Sequence, residues 1–344
     1  MRFPEFSGEW VETELQDIVP NICSGKDRIS NSGEVALYGS TGVIGRTNSA
    51  SYKENIVLVA RVGANAGQMQ IGNAPCGVTD NTLVIDAKEW NYYIYYFLQH
   101  YNLNRLVFGS GQPLITGGML KRIKVRYGCK AERNNITRLL CLIDERIATQ
   151  NKIIEDLKLL RDAISGLIFN SMKNEKTILL GNVACISNGS GDVQDSDSIK
   201  RDGWYPFFDR SEEQKWFPTY SFNREAIIYA GEGQNFFPRY YKGKFALHQR
   251  CYAITDFCEC LLPKYCLYFM NTLNSYFIRN AVGSTVPSLR MDMFQKAKIK
   301  IPTIERQQEI VSTLDALSLK CENEEIVRAL YNTQKSYLLQ QLFI

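Results

Sequence analysis

The chain has 344 residues, 45% of them hydrophobic and 22% charged, and a formal net charge of +4 at pH 7. These values are typical of a globular protein large enough for two domains, and they exclude a disordered or collagen-like chain. The small basic excess permits a polyanionic partner without requiring one. Residues 1–5 lack the basic and apolar regions of a secretory signal, and the aromatic run 92–98 is too short to span a bilayer. We therefore expect a cytoplasmic protein.

The cysteines and histidines indicate neither a disulfide scaffold nor a metal site. Six of the ten cysteines are isolated, most of them among apolar neighbours, which predicts buried free thiols. They are Cys23, Cys76, Cys129, Cys141, Cys185 and Cys321. Cys258, Cys260 and Cys266 are closer together but lack the paired Cys-x-x-Cys or Cys/His spacing of a zinc site. The histidines are His100 and His248, and we expect no bound metal.

Residues 1–131 form a first segment with mixed strand and helix patterns. The apolar run Ile56–Ala60 predicts a strand that ends in the glycine-rich turn 61–67, and Thr82–Ile85 predicts a second strand. An aromatic, helix-like stretch follows at Trp90–Tyr101, and residues 109–113 indicate a turn. These patterns predict a mixed α/β domain.

A heptad pattern occupies residues 132–169, where steps of four and three alternate between ten positions, eight of them apolar. The positions are Ile136, Leu140, Ile143, Ile147, Gln150, Ile154, Leu157, Arg161, Ile164 and Ile168. Such an a/d seam predicts one long helix, roughly 55 Å at 1.5 Å per residue, packed in coiled-coil fashion against another helix. The polar members Gln150 and Arg161 are candidates for setting the register of that pair. The alternative is a single long core helix of a globular domain.

The second half of the chain repeats the order of these features at an offset of about half the chain length. The matching pairs are 56–60 with 226–230, 61–63 with 231–233, 79–85 with 248–254, 96–98 with 268–270, 109–113 with 283–287, and 132–135 with 305–308. An ordered set at a near-constant offset indicates a tandem duplication of a globular unit followed by a long helix. Residues 305–344 are then the predicted partner of the first long helix.

The second long helix has a weaker heptad than the first. Small or charged residues stand at four of its seam positions, namely Cys321, Glu324, Arg328 and Lys335. We therefore expect its apolar seam to shift by one residue, through Val327 and Leu330. The apolar residues predicted to pair the two helices are Ile136, Leu140, Ile143, Ile147, Ile154, Leu157, Ile164, Ile168, Leu314, Leu317, Leu338 and Leu342.

Several signatures of catalysis are absent from the sequence. There is no GxxxxGK[ST] phosphate loop, and the glycine-rich stretch 38–45 lacks the Lys-Ser/Thr pair that would follow it. The chain contains no Pro-Pro pair, and so no Asn/Asp-Pro-Pro-aromatic motif of amino-methyltransferases. The two histidines form no evident Ser-His-Asp or Cys-His arrangement. We expect no catalytic residues, which disfavours an enzyme.

Arginine, amide, hydroxyl and tyrosine side chains are concentrated in the predicted turns of both halves. Arg pairs well with guanine edges, Asn and Gln with adenine, and Lys or Arg with phosphates, so the set predicts a nucleic-acid face. The candidate DNA-binding residues are Ser40, Thr41, Arg46, Arg61, Asn65, Gln68 and Gln112 in the first half, and Arg210, Ser211, Gln234, Arg239, Tyr241, His248, Gln249, Arg250 and Arg290 in the second. Taken singly, each is compatible with a solvated loop side chain. The aromatic run 236–241 either stacks on bases or packs a strand onto the core.

Short motifs occur in a fixed order along nearly the whole chain. They are Arg2-Phe3-Pro4-Glu5-Phe6, Gly8-Glu9-Trp10, Val43-Ile44-Gly45, Arg61-Val62-Gly63, residues 206–211, residues 219–222, Gly231-Glu232-Gly233, His248-Gln249-Arg250, Ile301-Pro302, Glu305-Arg306-Gln307 and residues 339–343. No single motif is decisive. The ordered set resembles the specificity (S) subunit of type I restriction–modification systems.

This resemblance implies an α+β fold with two mixed α/β target-recognition domains, residues 1–131 and 171–304. They are separated by two long antiparallel helices, residues 132–170 and 305–344, which form a coiled coil and give the chain an internal pseudo-two-fold repeat. Each domain would read one half of a bipartite site on double-stranded DNA, with the helices as spacer. The implied partners are two methyltransferase (M) subunits and, in a full system, restriction (R) subunits. S-adenosylmethionine, ATP and Mg belong to those partners, so we expect no cofactor on this chain.

Two other hypotheses remain open from the sequence. One is a fused restriction or methylation enzyme with unrecognised catalytic residues, which methyl transfer by the purified chain alone would support. The other is a coiled-coil scaffold without a DNA role. Absent or salt-independent DNA binding would support the scaffold, because phosphate contacts weaken as the salt concentration rises.

Overall fold

The structure is a computed structural model that describes residues 2–19, 21–107, 113–283 and 285–343. Unit 1 comprises Met1–Lys152 and Glu325–Ile344, and unit 2 comprises Ile153–Glu324. Each unit therefore contains part of each long helix. No helix in the described ranges is long and apolar enough to cross a membrane. The segment boundaries expected at residues 131, 170 and 304 stay a prediction.

Strands dominate the first part of unit 1. In chain order the elements are β1 (Val11–Glu14), α1 (Leu15–Ile18), β2 (Ile22–Ser24), β3 (Val35–Gly39), β4 (Gly42–Thr47), β5 (Ile56–Ala60), β6 (Met69–Gly72), β7 (Cys76–Val78), β8 (Thr82–Ile85), α2 (Asn91–Tyr101), α3 (Gly117–Lys121), β9 (Lys124–Tyr127) and α4 (Lys130–Ser171). The described sheets have the orders β2-β8-β5-β6, β4-β3-β7 and β1-β9. Val57 and Val59 of β5 face the core that contains α2, whereas Ile56 and Leu58 face a smaller core with Val78. Because both faces of β5 are covered, its sequence is continuously apolar.

The second half has the same plan. Its elements are β10 (Lys176–Leu179), β11 (Cys185–Asn188), β12 (Tyr205–Phe208), β13 (Lys215–Phe217), β14 (Phe222–Ala230), β15 (Arg239–Leu247), β16 (Cys251–Thr255), α5 (Pro263–Asn271), α6 (Asn274–Asn280), α7 (Met291–Gln295), β17 (Lys298–Ile301) and α8 (Ile304–Leu342). The described sheets have the orders β11-β16-β14-β15-β12-β13 and β10-β17. Ile227 and Tyr229 of β14 face the core that contains α5, and Ile228 faces a second core with Phe208 and Leu247.

The internal duplication is confirmed by the strand order and by main-chain hydrogen bonds. The orders β2-β8-β5-β6 and β11-β16-β14-β15 correspond strand by strand. Four main-chain hydrogen bonds of unit 1 recur at equivalent places in unit 2. In unit 1 they run from Asp27 N to Val78 O, Thr79 N to Tyr38 O, Gly63 N to Pro113 O and Ile115 N to Arg61 O. Their equivalents in unit 2, in the same order, run from Gly191 N to Leu247 O, His248 N to Phe208 O, Gly233 N to Pro287 O and Leu289 N to Gly231 O. The predicted matches of 61–63 with 231–233 and of Thr79 with His248 are thus correct, as is the α+β fold with an internal repeat. Of the predicted turn 109–113, residues 109–112 lie outside the described residues.

The two long helices run antiparallel within each unit. In unit 1, Ile136, Leu140 and Ile143 of α4 share a core with Leu338 and Leu342 of α8. In unit 2, Phe169 near the end of α4 shares a core with Ile310 and Leu314 near the start of α8, and the partly buried Ile164, Ile168 and Leu317 pack against it. Ile147 packs against the core of unit 1, Ile154 is buried in unit 2, and Leu157 is half-buried.

The expected shift of the α8 seam is wrong at Leu330, whereas Val327 is half-buried. Leu330 is 62% exposed, whereas Cys321 is 4% exposed and stays in the seam. Lys335 also stays in the seam, because its ammonium lies 2.7 Å from a carboxylate oxygen of Asp144 and 5.5 Å from the ring centre of Tyr96. A lysine can keep its aliphatic stem against apolar neighbours while its charge is paired, so the four-three spacing continues through it.

The start of the second long helix also differs from expectation by one residue. Strand β9 begins at Lys124 and β17 at Lys298, and α4 begins at Lys130 and α8 at Ile304, an offset of 174 in both pairs. Gln307 therefore corresponds to Arg133 and not to Asn134. Both are buried, and Gln307 donates to Cys260 O and Pro302 O and accepts from Leu262 N.

Some of the cysteine predictions are wrong. Cys76 and Cys321 are buried free thiols as expected, but Cys23, Cys129 and Cys185 are exposed. Cys258 and Cys260 are joined by a disulfide bond. Among the described residues there is no group of three or more His, Cys, Asp or Glu side chains that could hold a metal ion.

Candidate nucleic-acid interface

A cleft of about 620 Å³ opens in unit 2 at one edge of its large sheet. Three turns form it: residues 209–211 after β12, residues 231–232 after β14, and residues 248–250 before β16. His248 N donates to Phe208 O at 2.9 Å, which holds the segment 248–250 beside the end of β12. Five predicted residues line the cleft, namely Arg210, Ser211, His248, Gln249 and Arg250.

Gly231 allows two of these turns to meet. A Cβ atom at this position would lie 1.9 Å from the main-chain oxygen of Arg250, a distance that no side chain tolerates. The glycine therefore permits the close approach of 231–232 to 248–250. Arg250 N donates to His248 Nδ1 at 3.2 Å, which leaves Nε2 of the neutral ring as the donor that can face a ligand.

Charges of both signs lie in the cleft. Lys215 Nζ is 2.7 Å from Asp209 Oδ2, and Arg250 Nη1 is 2.6 Å from Glu232 Oε1. The Arg250 side chain is 65% exposed, so its ion pair is a weak surface pair that a phosphate could exchange. Arg210 is exposed at the same rim. The cleft thus offers both hydrogen-bond donors and acceptors, as base edges require.

Two predicted DNA contacts are engaged with the protein instead of facing the cleft. Arg239 donates to Ser211 O at 2.8 Å and to Asp209 O, and its guanidinium lies 5.4 Å from the ring centre of Phe208. Burial lowers the pKa of Arg239 from its usual value. Tyr241 packs against the rings of Phe208 and Phe245. Arg239 therefore holds the main chain of the turn 209–211, and Tyr241 packs against Phe208, the last residue of β12 before that turn.

The remaining candidates of unit 2 flank the cleft. Leu289 N donates to Gly231 O at 2.7 Å and Gly233 N to Pro287 O at 3.1 Å, which brings the exposed Gln234 and Arg290 to neighbouring segments. Within the aromatic run 236–241, one residue packs in the core and another is open to solvent. Phe236 is 1% exposed in the core, whereas Phe237 is 58% exposed.

The candidates of unit 1 occupy the equivalent turns. Ser40 and Thr41 form the tip between β3 and β4, and Gln70 Nε2 donates to Gly39 O at 2.7 Å, so the tip lies beside β6. The turn 61–68 joins β5 to β6 and contains Arg61, Asn65 and Gln68, of which Gln68 N donates to Asn65 O at 2.9 Å.

Arg46 and Gln112 are the other two candidates of unit 1. Arg46 is exposed on β4 and donates to Glu34 O at 2.6 Å. Gln112 lies outside the described residues.

The carboxylates of the cleft were not predicted from the sequence. Asp192, Asp209 and Glu232 line it together with Lys215. One signal could have identified Asp209, which directly follows the aromatic strand β12, because polar residues at strand ends often meet ligands. Glu232 stands between two glycines after β14, in the turn already singled out.

An aromatic and basic group outside the cleft was also missed. Lys244 Nζ lies 4.8 Å from the ring centre of Tyr220 and 5.8 Å from that of Tyr205. Tyr220 is 44% exposed, so this pairing of cation and ring is open to solvent.

Comparison with known proteins gives consistent matches. The family model described as type I restriction modification DNA specificity domain matches residues 7–159 and 172–329. The type I restriction enzyme EcoDI specificity subunit of Escherichia coli is 32% identical over 149 residues. That match covers 43% of this chain and 32% of the relative, so it spans about a third of the relative's length.

Two solved structures have a similar fold. The S subunit of a type I restriction–modification system from M. genitalium matches with a TM-score of 0.68 at 15% identity, covering 98% of this chain and 96% of that one. A chain from work on complex assembly and conformational transition of the type I R-M system matches with a TM-score of 0.57 at 14% identity, covering 97% of both chains. At these identities the likeness concerns the fold alone.

Proposed function

Because this chain belongs to the type I restriction–modification DNA specificity family, we propose that it is the DNA sequence-specificity subunit of a type I restriction–modification complex. Each unit reads one half of a bipartite target on double-stranded DNA. The chain itself performs no catalysis. It works in the cytoplasm, where the DNA target is present.

The observation that supports this proposal best is the duplicated unit with different residues in equivalent turns. The family model matches two stretches, 7–159 and 172–329, and the corresponding strands follow the same order. Ser40 and Thr41 follow β3 where Arg210 and Ser211 follow the equivalent β12. Similar frames with different contact residues suit two different half-sites, because phosphate contacts set the register while base contacts set the identity.

We further propose that α4 and α8 set the separation of the half-sites and dock the partner subunits. Both helices are continuous from one unit into the other, which supports a spacer role. The partners are two methyltransferase (M) subunits and, in the full system, restriction (R) subunits. S-adenosylmethionine, ATP and Mg act at those partners. The specificity subunit recognises the DNA sequence at which those partners act.

The proposal is tested by producing the full-length chain with and without the methyltransferase subunit in a host that lacks restriction systems. Methylome sequencing should reveal one bipartite motif that appears only when both subunits are present. Binding of that motif by the complex should weaken as salt rises, with a log–log slope of about 0.9 per phosphate contact.

Three results would contradict the proposal. Methyl transfer by the purified chain alone would indicate a fused enzyme. Absent or salt-independent DNA binding by the complex would indicate a scaffold. A methylated motif that does not change when the turns 209–211 and 248–250 are substituted would show that the cleft of unit 2 does not read DNA.

A further inference from the structure

Arg61 stands in an unusual environment at the end of β5. Its main chain is fixed on both sides, because Arg61 N donates to Asn81 O and Arg61 O accepts from Ile115 N. The side chain is half-buried, and Nη1 makes a long hydrogen bond of 3.3 Å to Ser24 Oγ. Nε is buried without a hydrogen-bond partner, and among the residues that the structure describes no carboxylate lies within ion-pair distance.

A guanidinium in this state is incompletely satisfied. Two other partly buried cations are paired with a carboxylate, Lys215 with Asp209 and Lys335 with Asp144. A buried N–H without an acceptor costs free energy, so turning of the side chain towards a ligand that brings acceptor atoms is favoured. Two acceptors placed side by side fit the planar fork of an arginine best.

On DNA, paired acceptors come either from a base edge or from a phosphate group, and the duplication of the chain distinguishes between these two sources. The equivalent of Arg61 in unit 2 is Gly231, since Ile115 N and Leu289 N donate to their carbonyl oxygens in the same way. Both units would meet the same phosphate backbone, so a phosphate contact at this position should recur in both. A cation in one unit and a glycine in the other is instead what two different base sequences require.

Building on the proposed function, we infer that Arg61 reads a guanine in the half-site bound by unit 1, with Ser24 as a positioning residue. The O6 and N7 atoms of guanine in the major groove form the paired acceptor that an arginine fork binds. The other source of paired acceptors, a phosphate group, is the alternative outcome of the test.

The experiment uses the full-length chain in complex with its methyltransferase subunits and the target found by methylome sequencing. Competition binding is measured against a panel in which each base pair of the target is replaced in turn, at several salt concentrations. The variants are Arg61→Lys, Arg61→Gln and Ser24→Ala. Arg126→Lys is the matched control, because this arginine lies on β9, is 52% exposed and has Glu12 as its partner.

Both Arg61 variants should lose about 5- to 150-fold in affinity for the target, the equivalent of 1–3 kcal/mol at 1.4 kcal/mol per tenfold. The loss should fall on a single G·C pair of one half-site, where discrimination between bases disappears. Ser24→Ala should weaken discrimination at that same pair to a smaller extent. Arg61→Lys should keep the salt dependence of the wild type, and Arg126→Lys should match the wild type throughout.

A second measurement does not depend on the folding of any variant. Replacing the guanine by 7-deazaguanine removes its N7 acceptor while the protein stays wild type. Affinity should fall for the wild type, and the same replacement should have no further effect on Arg61→Lys.

Two outcomes would overturn the inference and are distinguishable from a failure of the proposed function. A uniform loss over the whole panel, with the salt slope of Arg61→Gln reduced by about one, would show a phosphate contact. Unchanged discrimination in Arg61→Lys would show that the fork is not used. By contrast, a wild-type complex that does not prefer its target over random DNA would refute the proposed function itself.

Discussion

The register of α8 can be tested with two leucines of this helix that differ in burial. Leu338 is 8% exposed and belongs to the core of unit 1, whereas Leu330 is 62% exposed. Truncating a buried leucine removes its transfer free energy and leaves a cavity, so Leu338→Ala should lower the free energy of unfolding by about 2.7–5 kcal/mol. Leu330→Ala loses few protein contacts and should cost about 0.5 kcal/mol or less. The two variants should therefore differ at least about fivefold.

Urea unfolding of the full-length chain should be combined with hydrogen exchange, because a chain of two units need not unfold in one step. Leu338→Ala should speed the exchange of amides in residues 325–342, and Leu330→Ala should leave them as in the wild type. Leu319→Ala is a suitable control in unit 2, since Leu319 is 57% exposed. A cost of Leu330→Ala equal to that of Leu338→Ala would place the seam through Leu330 and refute the burial argument for Lys335.

Three further predictions concern single positions and the helix pair. Glu132 is buried and bound by Arg2 at 2.6 and 2.8 Å, so Glu132→Gln should cost roughly 1.5–3 kcal/mol in urea unfolding. The hydrogen bonds from Arg2 hold the pKa of the Glu132 carboxyl below its usual 4.5, so the unfolded chain binds the proton more readily. This stabilisation is complete above about pH 4.5 and is lost as the pH falls further. The urea midpoint of Glu132→Gln should therefore fall less steeply with decreasing pH than that of the wild type. Gly231→Ala should destabilise unit 2 by more than about 2 kcal/mol because of its clash, whereas Gly166→Ala, with open space around it in α4, should stabilise by about 0.5–1 kcal/mol; thermal unfolding of the two variants would expose an error if their effects had the same sign. One heptad inserted after Ile147, with a matching heptad in α8, should lengthen the gap between half-sites in the methylome, and an unchanged gap would show that the helices do not set it.

The repeat and the long helices could be predicted because they depend on patterns that local sequence records. The strand Ile56–Ala60 is apolar throughout since both its faces are covered, and its copy 226–230 has the same cause. The α8 seam was predicted less well. Hydrophobicity alone favours Leu330 over Lys335 as a seam residue. The carboxylate that pairs with Lys335 belongs to Asp144, almost two hundred residues away in sequence. Tertiary pairing of this kind leaves no periodic signal.

The candidate site divides in the same way. The turns that meet in the cleft of unit 2 could be predicted, because glycines and strand ends mark them in the sequence. Arg210 and Arg239 could not be distinguished from the sequence, since both are arginines next to a polar turn. The difference lies in direction: Arg239 points back to the carbonyl oxygens of residues 209 and 211, and Arg210 points to solvent. Such directions depend on packing against Phe208, which no local pattern contains.

The way Arg239 holds the turn 209–211 has a consequence for how new DNA targets arise. Both of its bonds go to main-chain oxygens, of Asp209 and Ser211, which every amino acid would provide. On the proposal that the cleft of unit 2 reads DNA, substitutions of Arg210 and Ser211 therefore leave this support in place while they change the chemical groups offered to a base. On that proposal, a change of DNA target at these two positions requires no change in the main-chain contacts that hold the turn.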